Sequence, residues 1–290
     1  MDLRLTLLAL LTPLFGICLS STTALATPRY DASFALLHDD NLSLAERSRD
    51  RLADTAFELA ARVTRDLVET EQGSLWWEAG LSARWWTAHP NLSEFSPEVG
   101  LRYRQRLGAT FKAPWVEVAV SGRGIKLADS PIRDGAAARF GLSVGQVLTD
   151  NLEARVGYAW RLRRAQRDAV FDTGNHEAFA QLDWTLAQRW VVYTGLTVHV
   201  GDLVTVSSVP NRKALRNASA LSEDFDGAFD TTRRRAYRID GHALMPEVGL
   251  NYLLQEGLSL DLAGQGVVAA ARGGNRYHQF GLTLSLLWQF

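Results

Sequence analysis

Arg102, Arg104 and Arg106 stand two residues apart, with Glu98 a short way before them. A spacing of two puts side chains on one face of a strand. Three guanidinium groups would then form a row, and such forks take carboxylates and phosphates through paired donors. The same residue types recur at alternating positions elsewhere: Arg84, Glu117 with Arg123, Arg139, and Arg155 with Arg161. Two outcomes are open. Either the arginines line a cationic track for small anions, or arginine and glutamate pair across neighbouring strands and fill an interior as a polar core.

Other clusters fall between the alternating stretches. Arg163, Arg164 and Arg167, and then Arg233, Arg234 and Arg235, sit in or beside charged connections. There they would meet surface anions such as phosphates, or only keep a loop solvated. Asp224, Asp226 and Asp230 surround Gly227, acid-rich but without the spacing of an EF-hand loop. His38-Asp39-Asp40-Asn41 is either a polar cluster or the start of a solvated loop. His199 falls on a strand, where a polar lining role is the simpler reading. No catalytic set, metal site or cofactor is expected.

The chain has 290 residues and a formal net charge of -1, with no basic tail or extended cationic stripe, so nucleic acid is not an expected partner. Hydrophobic residues make up 47% while the mean hydropathy is -0.09. That combination suits apolar residues alternating with polar ones. Residues 1–26 read as a signal peptide: Arg4 precedes an apolar run from Leu5 to Leu19, and Ala24-Leu25-Ala26 is a small-x-small cleavage site. The single cysteine, Cys18, lies inside that run, so residues 27–290 carry no thiol. No later apolar run reaches the roughly 20 residues of a spanning helix.

The elements that would position the arginines are strands. Apolar residues recur every second position in about twelve stretches, for example Val99-Leu101-Tyr103 opposite Glu98, Arg102 and Arg104. Leu152 to Leu162 opposes Arg155 and Arg161, and Leu258 to Leu262 opposes Ser259 and Asp261. Connections after the odd-numbered stretches are mostly long and polar, and after the even ones mostly short. Residues 203–241 form the longest insertion. Tryptophans collect towards strand ends, as interfacial belts require. The last stretch, Phe280 to Phe290, alternates Phe280, Leu282, Leu284, Leu286, Trp288 and Phe290 with smaller or polar residues.

That closing strand resembles the C-terminal strand of bacterial outer-membrane β-barrel proteins, which ends on a terminal Phe. The resemblance covers the chain after the signal peptide and implies an all-β, antiparallel up-and-down transmembrane barrel of about twelve strands. It further implies a place in the outer membrane with both termini periplasmic and the 203–241 loop extracellular. Outer-membrane lipid and lipopolysaccharide would surround the barrel. The barrel assembly machinery would read Phe280, Trp288 and Phe290. The alternate faces would line a lumen, with Arg84, Arg102, Arg104, Arg106, Arg123, Arg139, Arg155, Arg161, Glu98 and Glu117 as solute contacts. The expected function is a narrow channel for small, including anionic, solutes. The alternative is a non-conducting accessory barrel whose loops bind a partner or polysaccharide. A lipid-modifying enzyme is the third reading. The twelve-stranded outer-membrane phospholipases place His and Ser two apart on one strand, and no His-x-Ser occurs here. The opening stretch through Asp39-Asp40-Asn41 also looks like barrels found beside surface-polysaccharide or surface-protein export systems.

Overall fold

The structure is a computed structural model that describes residues 27–208, 211–229 and 233–290. Residues 1–26, expected to be a signal peptide, and Asp230 lie outside the described residues. Among the described residues there are thirteen strands: β1 (Arg29–Asp39), β2 (Asp54–Glu69), β3 (Gly73–Trp86), β4 (Glu94–Arg106), β5 (Trp115–Leu127), β6 (Gly135–Thr149), β7 (Leu152–Ala165), β8 (Thr173–Ala187), β9 (Trp190–Ser208), β10 (Ala220–Leu221), β11 (Arg234–Gln255), β12 (Leu258–Ala271) and β13 (Asn275–Gln289). All except the two-residue β10 belong to one ring. Each is antiparallel to the next, β9 pairs with β11, and β13 pairs with β1.

The wall strands run from 11 residues in β1 to 22 in β11, and about 9–11 suffice for a tilted strand to span hydrocarbon. Their outward faces carry Val99, Leu101, Val120, Phe140, Val156, Leu182, Val248 and Leu284, all exposed. Large apolar side chains exposed on every wall strand make sense only against lipid, where a closed ladder also satisfies the backbone. The closing strand meets β1 as its free edge requires. Phe34 is opposite Leu286, and the Phe290 amide donates to the Tyr30 carbonyl at 2.9 Å.

The aromatic belts hold only in part. Trp85 and Trp160 face outward at the loop-bearing end, and Trp184, Trp190 and Trp288 do so at the turn end. Trp76, Trp86 and Trp115 instead share the inward parity of Glu78, Arg84 and Glu117. Trp115 is buried, with the Arg104 guanidinium 4.2 Å from its ring centre. It lies flat where Gly145 has no side chain: a Cβ there would come within 2.2 Å of the ring. Position near a strand end was legible in the sequence, but the parity of these three is lumenal.

The 203–241 insertion is not one loop. The β9–β11 ladder continues past the wall to Ser208 opposite Arg234. It leaves the wall at Gly201 and Gly241, which face each other across the ladder and are the last residues paired to β8 and β12. Gly201 has φ +140, and a Cβ on it would meet the Gly174 carbonyl at 2.4 Å, so only glycine fits. Beyond this point both faces of the hairpin are buried. Val204, Val206 and Ala236 pack with Leu92, Leu127, Val170 and Phe171 from the loops of β3 to β8. Leu203, Tyr237 and Ile239 pack with Ala269, Tyr277 and Leu44. A strand apolar on both faces has no period of two, which is why alternation missed it.

The first loop is likewise less solvated than its composition suggests. Asn41, Ser43 and Asp50 are wholly buried. Ser43 accepts the Val206 amide through its carbonyl at 2.8 Å, and the Thr205 hydroxyl donates to the Leu44 carbonyl at 2.7 Å. On the other side of the hairpin, Arg238 donates to the Ala169 carbonyl at 2.9 Å. The hairpin therefore crosses the mouth and ties together loops from opposite sides of the ring.

The register also reveals an internal repeat. Pro97-Glu98-Val99-Gly100-Leu101 in β4 recurs as Pro246-Glu247-Val248-Gly249-Leu250 in β11. Gly80-Leu81-Ser82 in β3 matches Gly195-Leu196-Thr197 in β9, and Gly122-Arg123-Gly124 in β5 matches Gly264-Gln265-Gly266 in β12. The pairings agree. Gly80 faces Glu98, and Gly195 faces Glu247; Glu98 faces Arg123, and Glu247 faces Gln265. Carried round the ring, the correspondence sets Glu58 against Glu177 and Ala35 against Ala159, and it closes without a slip. The barrel is two six-stranded halves in the same register.

Candidate functional site

Strand alternation turns the polar positions inward, and there they meet across the ladder. Arg84 pairs with Glu58 at 2.6 Å, Arg104 with Glu117 at 2.7 Å, and Arg161 with Glu177 at 2.9 Å. Arg102 bridges Glu78 at 3.1 Å and Glu117 at 3.6 Å. Arg123 pairs with Glu94 and also donates to Ser96 at 3.0 Å. The cross-strand pairing that was one of the two expectations therefore accounts for much of the lining. Inside a narrow barrel these pairs hold neighbouring side chains against one another across adjacent strands.

Two arginines stand apart from that pattern. Arg139 makes no ion pair among the described residues, and its Nε is buried without a hydrogen-bond partner. Arg155 donates to the neutral amide oxygen of Gln181 at 2.7 Å, and its guanidinium lies 5.6 Å from the Phe179 ring centre. Both line a cavity of about 210 Å³ with Arg102, Glu117, Ser143 and Phe179. A second cavity, about 600 Å³, lies against β1 to β5 and reaches the turn-end residues Gly257 and Gln289. Asp31, Glu58, Arg62, Glu98 and Arg123 line it.

Acids without cationic partners sit elsewhere on the ring. Glu247 makes no ion pair among the described residues. Asp261 accepts the Tyr193 hydroxyl at 2.9 Å and the Asn251 amide at 3.3 Å. Alternation alone places both on the lining face, though neither was an expected solute contact. What it does not show is their lack of a cation, which follows from the β4/β11 repeat setting Asn251 where β4 has Arg102.

The remaining expected positions separate. Glu98 lines the larger cavity, while Arg106 is exposed at the turn end of β4. Arg163 turns inward beneath the loops and donates to the Arg133 carbonyl at 2.6 Å. Arg164 is exposed and near Asp172 at 3.4 Å, and Arg167 and Arg233 are exposed. Arg234 does not reach the surface: it is buried and donates to the Asp50 carbonyl at 3.0 Å. Arg235 stacks on Phe225 at 5.0 Å. Phe280 and Trp288 face lipid, and Phe290 is exposed at the turn end. Asp226, read as part of an acidic cluster, is wholly buried. It accepts three hydrogen bonds from Arg133, at 3.3, 3.1 and 2.6 Å, and Arg133 lies between Phe171 and Phe229 at 4.7 and 5.1 Å.

The resulting site is a charged lumen, open in part towards the turn end and covered at the loop end by apolar packing around the β9–β11 hairpin. Among solved structures the chain is similar to an outer membrane channel from Pseudomonas putida F1, at 10% sequence identity and a TM-score of 0.57, over 94% of this chain and 100% of that one. It is also similar to the NanC porin, at 9% identity and a TM-score of 0.50, over 89% and 98% of the two chains. At such identities the likeness speaks for the fold. No family model matches the chain, and no curated protein does. The closed ladder, the lipid-facing apolar band and the shared architecture together make this chain a twelve-stranded β-barrel of the bacterial outer-membrane type.

Proposed function

We propose that the protein is a narrow channel of the outer membrane for small charged solutes, carboxylates among them. The observation that carries this reading is the pair Arg139 and Arg155: guanidinium groups that make no ion pair among the described residues and face a lumen cavity. Guanidinium groups that face a cavity without a direct carboxylate contact keep donors free for carboxylates that come and go. Lipid and lipopolysaccharide surround the wall, both termini are periplasmic, and the assembly machinery reads the strand that ends at Phe290. The similar porin and outer membrane channel support the same reading by analogy of fold.

Planar-bilayer recording tests it. Discrete conductance is expected, and a salt gradient should give a reversal potential that moves towards cation preference in Arg139→Glu with Arg155→Glu. A correctly folded barrel that passes no current, with or without its loop cap, would remove the channel reading. The apolar packing of loops around the β9–β11 hairpin is the one feature that favours the second reading, a non-conducting barrel that presents its loops to a partner.

A further inference from the structure

The two halves of the ring share a frame but not a charge. Through the repeat Arg102 corresponds to Asn251, Arg123 to Gln265 and Arg139 to Thr283, while Ala119 corresponds to Asp261. Glu98 and Glu247 are the same residue in both halves. The second half closes the ladder with amides and a hydroxyl where the first has guanidinium groups. Positive charge on β4 to β6 is therefore not required to build the barrel.

Together with Arg155 on β7, just across the seam between the halves, the difference gives the lumen unlike walls. Arg139 on β6 and Arg155 on β7 are positive and make no ion pair among the described residues, although Glu117 lines the same cavity and Glu177 acts on Arg139 at longer range. Glu247 on β11 and Asp261 on β12 are negative and make no ion pair among the described residues. β12 is five strands from β6 round a twelve-strand ring, close to directly across. Asp261 is paired with Ser285, two residues from Thr283, the counterpart of Arg139, so the opposed charges stand at neighbouring levels. In a narrow, low-dielectric tube such walls set up a field across the axis. A simple anion gains from one wall and is repelled by the other. A solute with an ammonium at one end and a carboxylate at the other gains from both.

We infer that the lumen binds zwitterionic solutes of amino-acid or short-peptide chemistry in preference to simple anions. This rests on the channel reading for its purpose but not for its measurement. The probes are 4-aminobutyrate, butyrate and butylamine, which share one four-carbon skeleton, titrated calorimetrically at low salt into the purified full barrel in detergent. 4-Aminobutyrate is expected to bind about tenfold tighter than either single-charge probe. Arg139→Thr and Asp261→Ala each install the residue that the opposite half already carries, and each should abolish most of the preference. Heat-modifiable migration confirms that both variants are folded. Butyrate binding as tightly as 4-aminobutyrate, or a preference that survives both substitutions, would overturn the inference. Zwitterion binding by a barrel that passes no current would uphold this site and sink the channel reading. Conductance without the preference would do the reverse.

Discussion

Asp54 shows how much a single side chain does at the loop end. It begins β2, beyond the outward-facing Phe57 and Trp85, and its carboxylate accepts from the amides of Ala88 and His89 and from the Thr87 hydroxyl at 2.7 to 2.9 Å. Burial pushes its pKa up, but the hydrogen bonds from Thr87, Ala88, Thr55 and His89 outweigh that and hold it below the usual carboxylate value. A depressed folded-state pKa contributes stability above the unfolded value, about 3.9, and that contribution is lost as pH falls through the folded value. The β3–β4 loop should therefore gain amide exchange below about pH 4. Asp54→Asn should start out more exchangeable at neutral pH and show a flatter acid response. An unchanged acid response in the variant would show that Asp54 is not the responsible group. None of this was legible beforehand, because Asp54 lies at a strand end whose five donors come from both its own strand and a loop more than thirty residues away.

At the scale of elements, the wall strands were legible and the cap was not. Alternation gave the inward parity of Arg84, Arg102, Arg104, Arg123, Arg139, Arg155 and Arg161 because lipid outside and water inside impose unlike faces on every strand. The cap obeys no such rule. Its stability comes from residues far apart in sequence, such as Leu92, Phe171 and Val206 in one cluster, and from Arg133 with Asp226. Asp226→Ala would leave Arg133 buried between two rings without its counter-ion, a loss of about 3–5 kcal/mol for a broken buried pair. The expected outcome is a barrel of normal migration whose loops are cut faster by added protease and whose single-channel current rises or flickers more. Loops as resistant as in the parent protein would show that the apolar packing alone holds the mouth closed. The sequence pointed to Asp226 for its charge, but only the fold supplies its partner, 93 residues away.

For the whole molecule, the ring is set by its seam and by its internal repeat. The closing strand and strand count sufficed for the architecture, since Phe34 and Leu286 do meet. The division of the lumen into unlike halves was also written in the chain, in two copies of Pro-Glu-Val-Gly-Leu, yet it takes the ladder register to show that the copies occupy equivalent places. Their prolines make the same dent: Pro97 lies 3.1 Å from where a Gly124 side chain would begin, and Pro246 3.5 Å from that of Gly266. At both places the ladder skips pairs, between Phe95 and Glu98 and between Leu244 and Glu247.

The seam where β13 meets β1 has one further consequence. Tyr30 and Phe290 exchange backbone hydrogen bonds, so the two chain ends lie side by side on the turn rim. The junction of the halves, the Asp150-Asn151 turn between β6 and β7, is on that same rim across the ring. The order in which the strands are strung is thus arbitrary with respect to the ring they make. A circular permutant that joins Phe290 to residue 27 through a short glycine linker, and opens between Asp150 and Asn151, keeps every ladder. It should fold in detergent to the same heat-modifiable barrel. Its new C-terminus, however, lacks the Trp288–Phe290 ending, so it should fold in vitro and yet accumulate poorly in the outer membrane of cells. Failure to fold in detergent would mean that the ring needs its own starting point.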